Sequence, residues 1–417
     1  MIARRTAAAL AALALVAAAC TAHAAPSPIT VGAIYPLSGS QGPGGVDEHR
    51  GVLLAADLVN ADGGVDGRPI EVRSIDVGSA DAAPAAVAQL REGGIDLVLG
   101  SYGSTISAPA SLATAERGML FWETGAVGTL PMGADAGRLT FRVPPTGGTL
   151  GRNAIAFTDE ELAGRLGRDP ASLRYAVSFV DDVYGRAVAD GARAELRARG
   201  LRLVGGVGYD LASFDAGDVA RRIERLRPDV LFVSAYLDDA IAVRRTLVRR
   251  QVPLLASIGT SSSYCMPAFG VTLGDDAVGL FASDKPSAHA IDPSGLSAEA
   301  AALLARADEA YREAYGRGMS PAALAGFSAS WALFHHVLPS AKDLSSEAVA
   351  AAAMAQDLPR GSLPNGSGLS FGARGEPGAG DNLAAAGVVW EWVHPGHAEV
   401  VWPQEFATHP VVPVDIT

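Results

Sequence analysis

Short apolar runs rich in β-formers alternate with segments whose apolar residues recur every three or four positions, and this alternation organises most of the chain. "ITVGAIYPL" predicts a strand. "EHRGVLLAADLVNADGG" carries Val52, Ala55, Ala56 and Val59 at helical spacing and ends in glycines, the usual helix stop. "PIEVRSIDV" predicts a second strand, "APAAVAQLREGG" a helix, "IDLVLGS" a third strand, "APASLATAERG" a helix and "MLFWETGA" a fourth strand. The alternation then restarts. "RYAVSFVDD", "YGRAVADGARAELRARG", "LRLVGGVGYD", "AGDVARRIERLRP", "DVLFVSAYL", "DDAIAVRRTLVRR" and "PLLASIGTS" read strand, helix, strand, helix, strand, helix, strand. Strands separated by helices predict βαβ units and parallel, doubly wound sheets. Two such series predict two similar lobes.

The last third departs from this pattern. Three helical patterns, "SAEAAALLARADEAYREAYG", "PAALAGFSASWALFHHVL" and "SEAVAAAAMAQ", are followed by a Gly/Pro/Asn-rich stretch, "PRGSLPNGSG". The end reads as a hairpin: "GVVWEWV", a turn at "HPGH", then "AEVVWP". These pieces are too few for a third domain, so they are expected to complete the two lobes. The chain would then cross between lobes several times, as suits a hinge. The expected division is residues 26–142 with 284–355 in one lobe and 143–283 with 356–417 in the other.

Composition supports that size of fold. The chain has 417 residues and 49% are hydrophobic, enough for two cores, since single cores stop growing near roughly 250–300 residues. Net charge is −12. Lys285 and Lys342 are the only lysines, and the arginines are scattered without a basic stripe, which argues against nucleic acid as a partner. No internal repeat of solenoid period is present.

The N-terminus reads as an export leader over residues 1–24. Arg4 and Arg5 supply a positive start, Ala7 to Ala19 an apolar run, and Ala22-His23-Ala24 a small-x-small cleavage site. The apolar run is shorter than the roughly 20 residues of a membrane span. "VAAAC" also loosely resembles a lipobox that would tether the chain through Cys20, but Ala17 stands where that pattern usually has Leu, so cleavage near Ala24 is expected. Cys265 is then the remaining cysteine, with no disulfide partner.

Open α/β sheets bind ligands at the carboxyl ends of their strands. The predicted strands are followed there by "PLSGSQGPGG", "GSYGST", "ETGA", "DDVYG", "AYLDD" and "GTSSSY". In "GSYGST", glycines allow close backbone approach, and Ser104 and Thr105 open a helix whose free N–H groups suit an anion. A carboxylate clamp and ordinary helix capping both account for them. The pattern G-x-x-x-x-G-K-[ST] of phosphate loops is absent and neither lysine is near in sequence; G-x-S-x-G and G-x-G-x-x-G also fail. Glu123, Asp238 and Asp239 could pair with a ligand ammonium or cap helices, and Asp181 and Asp182 read as caps. Tyr184 and Tyr236 offer a stacking wall and a hydroxyl each. A paired-acid glycosidase site lacks anything to position a sugar. His335 and His336 are neighbours on a helix and point apart, while His394 and His397 flank a turn, so no metal set is found. Trp390, Trp392 and Trp402 read as packing residues of the hairpin.

Taken in order, "ITVGAIYPLSG", "AADLVNADGGVDGRPIEV", "GSYGSTISAPAS", "VDDVYG", "RPDVLFVSAYLDDAI", "PAFGVTLGDDAVGL" and "GVVWEWV…EVVWP" resemble the branched-chain amino-acid and amide group of periplasmic solute-binding proteins, across essentially the whole chain after the leader. The resemblance implies a type I periplasmic-binding fold: α/β, two Rossmann-like lobes with parallel doubly wound sheets, a multi-crossing hinge, and a ligand trapped between the lobes. It implies a monomer in the periplasm that delivers its solute to an ABC permease in the inner membrane, with no cofactor and no catalysis. On this resemblance Tyr102, Gly103 and Ser104, with Thr105, match the loop that holds the ligand carboxylate. Gly125 and Ala126 match the next loop, where backbone groups meet it, and Tyr184 and Tyr236 match tyrosines of the second lobe. Thr260 falls where the leucine/isoleucine/valine binder has an acid for the ammonium group. Val127 replaces a hydroxyl of that binder and Gly44 an aromatic. Glu123 and Asp239 are the candidates for the missing negative charge, or else the ligand carries no amine. Two other readings stay open: a sensor built on the same fold, and an exported α/β hydrolase. The hydrolase would need a nucleophile beside a histidine base, and no histidine falls in the hydroxyl-rich loops.

Overall fold

The computed structural model describes residues 26–131, 137–288 and 290–416. The leader, its cleavage site and Cys20 lie outside the described residues, as does His289.

The first half of the chain runs β1 (Ile29–Tyr35), α1 (Gly42–Ala61), β2 (Ile70–Asp76), α2 (Ala83–Glu92), β3 (Leu97–Gly100), α3 (Ser104–Glu116), β4 (Leu120–Glu123), β5 (Thr140–Arg142) and α4 (Gly147–Phe157). It continues β6 (Arg174–Val180), α5 (Val183–Ala198), β7 (Arg202–Tyr209), α6 (Ala216–Leu226), β8 (Val230–Ser234), α7 (Leu237–Arg249), β9 (Ala256–Thr260), α8 (Pro267–Leu273) and β10 (Phe281–Asp284). The remainder is α9 (Ala298–Tyr315), α10 (Pro321–Trp331), α11 (Ser346–Met354), β11 (Val388–His394) and β12 (His397–Trp402).

Two sheets result. One has five strands in the order β2-β1-β3-β4-β5, and all its pairings are parallel. The other has seven, β12-β11-β10-β9-β8-β6-β7. It is parallel from β7 to β10 and antiparallel where the terminal hairpin joins it. The central strands β3, β4, β8 and β9 are buried along their whole length, which is why they read as unbroken apolar runs rather than alternating ones.

Four elements lie beyond the sequence expectation, the short helix α8 among them. β5 is three residues long and β10 four, too short for a period to show. α4 replaces an expected gap between the two series; it begins with two glycines and is capped by Thr146, whose hydroxyl accepts from the Thr149 amide. The predicted hairpin is present, with the Trp390 and Trp392 rings buried and the Trp392 indole N–H donating to the Tyr264 carbonyl at 2.8 Å.

The late helices pack back on the first sheet. α10 lies against α1 so closely that a Cβ on Gly51 would stand 2.0 Å from the Ala323 carbonyl oxygen, and one on Gly326 would stand 2.2 Å from that of Glu48. Two glycines therefore set the spacing of this helix pair and carry Glu48 into the interior, where it is 0% exposed. Trp122 on β4 is buried between Phe141 and Phe371, and its indole N–H donates to Ala329 of α10 at 2.8 Å. No helix among the described residues is long and apolar enough to cross a membrane.

Candidate ligand-binding cleft

The carboxyl ends of the two sheets meet. Tyr102 follows β3 and reaches the loop after β9, donating from its hydroxyl to Ser262 Oγ at 3.2 Å and to Met266 Sδ at 3.5 Å. Lys285 follows β10 and donates to the Gly125 carbonyl, beyond β4, at 3.0 Å. Between these two bridges lies a cavity walled by Tyr102, Gly103, Ser104, Gly125, Val127, Tyr184, Tyr236, Ser261, Ser262 and Lys285, with a volume of only ≈ 10 Å³. That is about the least space that admits one water molecule. Larger grooves lie elsewhere. One, ≈ 790 Å³, runs past Leu166, Arg174, Pro228 and Leu255, at the opposite ends of the strands.

Most of the residues expected at a ligand site from the sequence line this cavity: Tyr102, Gly103, Ser104, Gly125, Tyr184 and Tyr236. Ser104 opens α3, and its hydroxyl accepts from the Gly128 amide at 2.9 Å, which ties the loops after β3 and β4 together. Thr105 sits one residue deeper in the helix and accepts from the Gln41 side chain at 3.0 Å. The Tyr184 and Tyr236 rings stand 5.5 Å apart at a tilted angle, and the Tyr236 hydroxyl donates to Asp182 at 2.7 Å. Asp182 also caps α5 through the Tyr184 and Gly185 amides, so capping and placement of Tyr236 use different oxygens of one carboxylate.

The expected acids turn away. Glu123 Oε1 accepts from the Gly125 and Ala126 amides at 2.9 and 2.7 Å. Its carboxylate therefore occupies the two backbone donors that were expected to meet a ligand. Burial pushes it up to about 7, and those amides hold it from rising further. Asp239 accepts from the Tyr209 hydroxyl and from the Tyr236 amide, closing a capping box on α7. Thr260 is buried, and its hydroxyl has no hydrogen-bond partner. None of Glu123, Ala126, Asp239, Thr105 and Thr260 lines the cavity.

Two features were not read from the sequence. The first is Lys285, 160 positions from Gly125 in the chain and 4% exposed. Its signal was rarity: one lysine of two in an arginine-based sequence, directly after an apolar run. The second is a buried set of charges behind the cavity. Asp284 accepts from Ser261 Oγ at 2.8 Å and stands 3.8 Å from the Lys285 ammonium. Glu48 Oε1 accepts from the Thr124 hydroxyl at 2.8 Å, while Oε2 has no partner. Gly125 makes room for it, since a Cβ there would lie 1.7 Å from Glu48 Oε2. Burial pushes Glu48 up to about 8 against the pull of Lys285. Desolvation draws Lys285 down, but Asp284, Glu48 and Glu123 outweigh it and leave it above the usual lysine value.

Gly44 is explained by the same geometry. A Cβ there would fall 2.2 Å from the Tyr102 ring, so Tyr102 occupies the space that the resemblance assigns to an aromatic at position 44. Among the described residues no group of His, Cys, Asp and Glu could hold a metal ion, and no histidine lines the cavity.

Loops from the ends of two α/β sheets, closing over a cavity that hardly admits a water, define a protein that encloses a small molecule. Residues 28–379 match the family described as periplasmic binding protein, and the chain belongs to that family. It is 26% identical over 387 residues to a "Leu/Ile/Val-binding protein homolog 8" of Brucella abortus, covering 92% of this chain and 93% of the relative. Solved structures share the fold. An extracellular ligand-binding receptor from Rhodopseudomonas palustris superimposes with a TM-score of 0.75 at 18% identity, over 90% of this chain and 99% of the other. The branched-chain amino acid transporter substrate binding protein LivJ from Streptococcus pneumoniae, in complex with isoleucine, does so with a TM-score of 0.70 at 19% identity, over 90% and 100%.

Proposed function

We propose that the protein is the solute-capturing component of an ABC importer, working as a monomer outside the cytoplasmic membrane and handing a small polar solute to a membrane permease without altering it. The solute class at this level is an amino acid, an amide or a short carboxylate. The observation that carries the reading is the cavity between the strand ends of the two sheets, closed by Tyr102 from one side and Lys285 from the other. Its small volume marks a closed arrangement. A solute enters when the halves built on the two sheets separate, with Phe371 staying packed on Trp122 and Phe141. Family membership and the resemblance to leucine, isoleucine and valine binders support the transport role.

The test is a thermal-shift screen of amino acids, amides, urea, short carboxylates and aromatic acids, followed by recovery of the bound molecule. A solute at 100 times its dissociation constant stabilises by about 2.7 kcal/mol. One class should stabilise strongly, and the molecule released by denaturation should be chemically unchanged. A chain that binds none of them, or that releases an altered product, contradicts the proposal.

A further inference from the structure

Among the described residues, Lys285 is the only charged side chain that lines the cavity. Its ammonium has three donors. The Gly125 carbonyl takes one, and Asp284 stands at ion-pair rather than hydrogen-bond distance. A buried ammonium that opens on a hydroxyl-lined cavity is most stable with an anion there. Ser104, Tyr102 and Ser262 add hydroxyls beside it.

The complementary charge is missing from the walls. An α-ammonium group would need an acid facing the cavity; the acids nearby do not line it, although Glu48 Oε2 and Glu123 Oε2 are buried without a hydrogen-bond partner. Asp182 holds the α5 amides and Tyr236, Asp239 holds Tyr209, and Glu123 holds the Gly125 and Ala126 amides. Asp284 holds Ser261 and faces Lys285, lining only an adjoining void, and Glu48 holds Thr124 behind Gly125. Burial raises Glu48 to about 8 and Glu123 to about 7, so near neutral pH Glu48 mostly keeps its proton and Glu123 is about half ionised. The rest of the lining is Ser261, the backbone of Gly103 and Gly125, and an apolar part made by the rings of Tyr102, Tyr184 and Tyr236 and by Val127.

From this placement we infer that Lys285 is the anion-binding residue of the cleft, and that the captured solute is a small carboxylate with an apolar body and no α-ammonium group. The inference rests on the cavity being the capture site, and it narrows the solute class.

Calorimetry on the mature full chain, with probes matched in shape, tests it. One set is 4-methylpentanoate, leucine and 4-methylpentanamide; the other is 3-phenylpropanoate, phenylalanine and 3-phenylpropanamide. The expected result is that a carboxylate of one set binds at least roughly tenfold tighter than the amide and the α-amino acid of that set, as befits a charge-assisted contact. Lys285→Met should weaken that carboxylate by roughly 10- to 100-fold, and Lys285→Arg should restore most of the loss. If Lys285→Met does not fold, the wild-type ranking alone decides. An α-amino acid that binds tighter than its matched carboxylate overturns the inference and leaves the capture reading standing. So does undiminished carboxylate binding by folded Lys285→Met. A wild-type chain that binds no probe of either set but binds another class in the thermal-shift screen overturns the inference alone; one that binds nothing in that screen either overturns the capture reading with it.

Discussion

Glu48 gives the sharpest quantitative prediction. It is fully buried on α1 behind the cleft and meets Thr124, Lys285, Glu123, Asp284 and Tyr35, with Oε2 unpartnered. Burial raises it from 4.5 to about 8 in the folded chain. A carboxyl raised on folding binds more protons in the native than in the unfolded state across that window. Its favourable contribution is therefore complete below pH 4.5 and is lost as pH rises through about 8. A tenfold change in proton affinity between the folded and unfolded chain corresponds to about 1.4 kcal/mol, so the wild-type chain should lose about 3 kcal/mol through this one group between about pH 5.5 and pH 8. Glu48→Gln cannot ionise. It can keep the Thr124 hydrogen bond through its amide oxygen, and any cost of its unpaired amide nitrogen is independent of pH. Urea unfolding of both proteins across about pH 5.5 to 8.5 reads the effect, together with the change that losing the Glu48 charge makes in the titration of its neighbour Glu123. The difference in stability should move in favour of Glu48→Gln by about 3 kcal/mol as pH rises. Parallel curves with a constant offset would show that Glu48 is ionised throughout and that the burial argument is wrong.

Other expectations follow from single contacts. Tyr102→Phe removes the hydroxyl that joins the β3 loop to Ser262; solute binding should weaken by about 2- to 10-fold in calorimetry while the unfolding midpoint without solute hardly changes. Gly51→Ala forces a methyl against the Ala323 carbonyl at 2.0 Å, and the α1–α10 pair should part at a cost of about 1–3 kcal/mol in urea unfolding. Trp122→Phe leaves the Ala329 carbonyl without its indole donor and should cost about 1–3 kcal/mol, with solute affinity within about twofold of wild type once the chain is folded.

The alternation of strands and helices was legible because helices such as α5 and α6 bury one face and each central strand is buried on both faces. β5 and β10 were not, although β3 and β4 are as short as β10; β10 owes its place partly to β11, far along the chain. Half of the cleft was legible by the rule that open sheets bind at strand ends: Tyr102, Ser104, Tyr184 and Tyr236 all stand there. The acids were ambiguous for a physical reason. A carboxylate after a strand serves equally to cap the next turn or to meet an ammonium, and nothing local distinguishes the two; Glu123 and Asp239 took the first use. Lys285 was hidden because its partner Gly125 lies 160 residues away, so separation in sequence was a poor guide to distance from the "GSYGST" loop.

The account stands on solute being enclosed between the strand ends of the two sheets, and a crystal structure of the chain with its best-binding solute tests that most directly. It should show the solute intact, surrounded by Tyr102, Ser104, Tyr184, Tyr236 and Lys285 and cut off from bulk water. A solute seated instead in the groove past Arg174 and Leu255, with Tyr102 still bonded to Ser262 and Lys285 to Gly125 as in the closed arrangement, would contradict it.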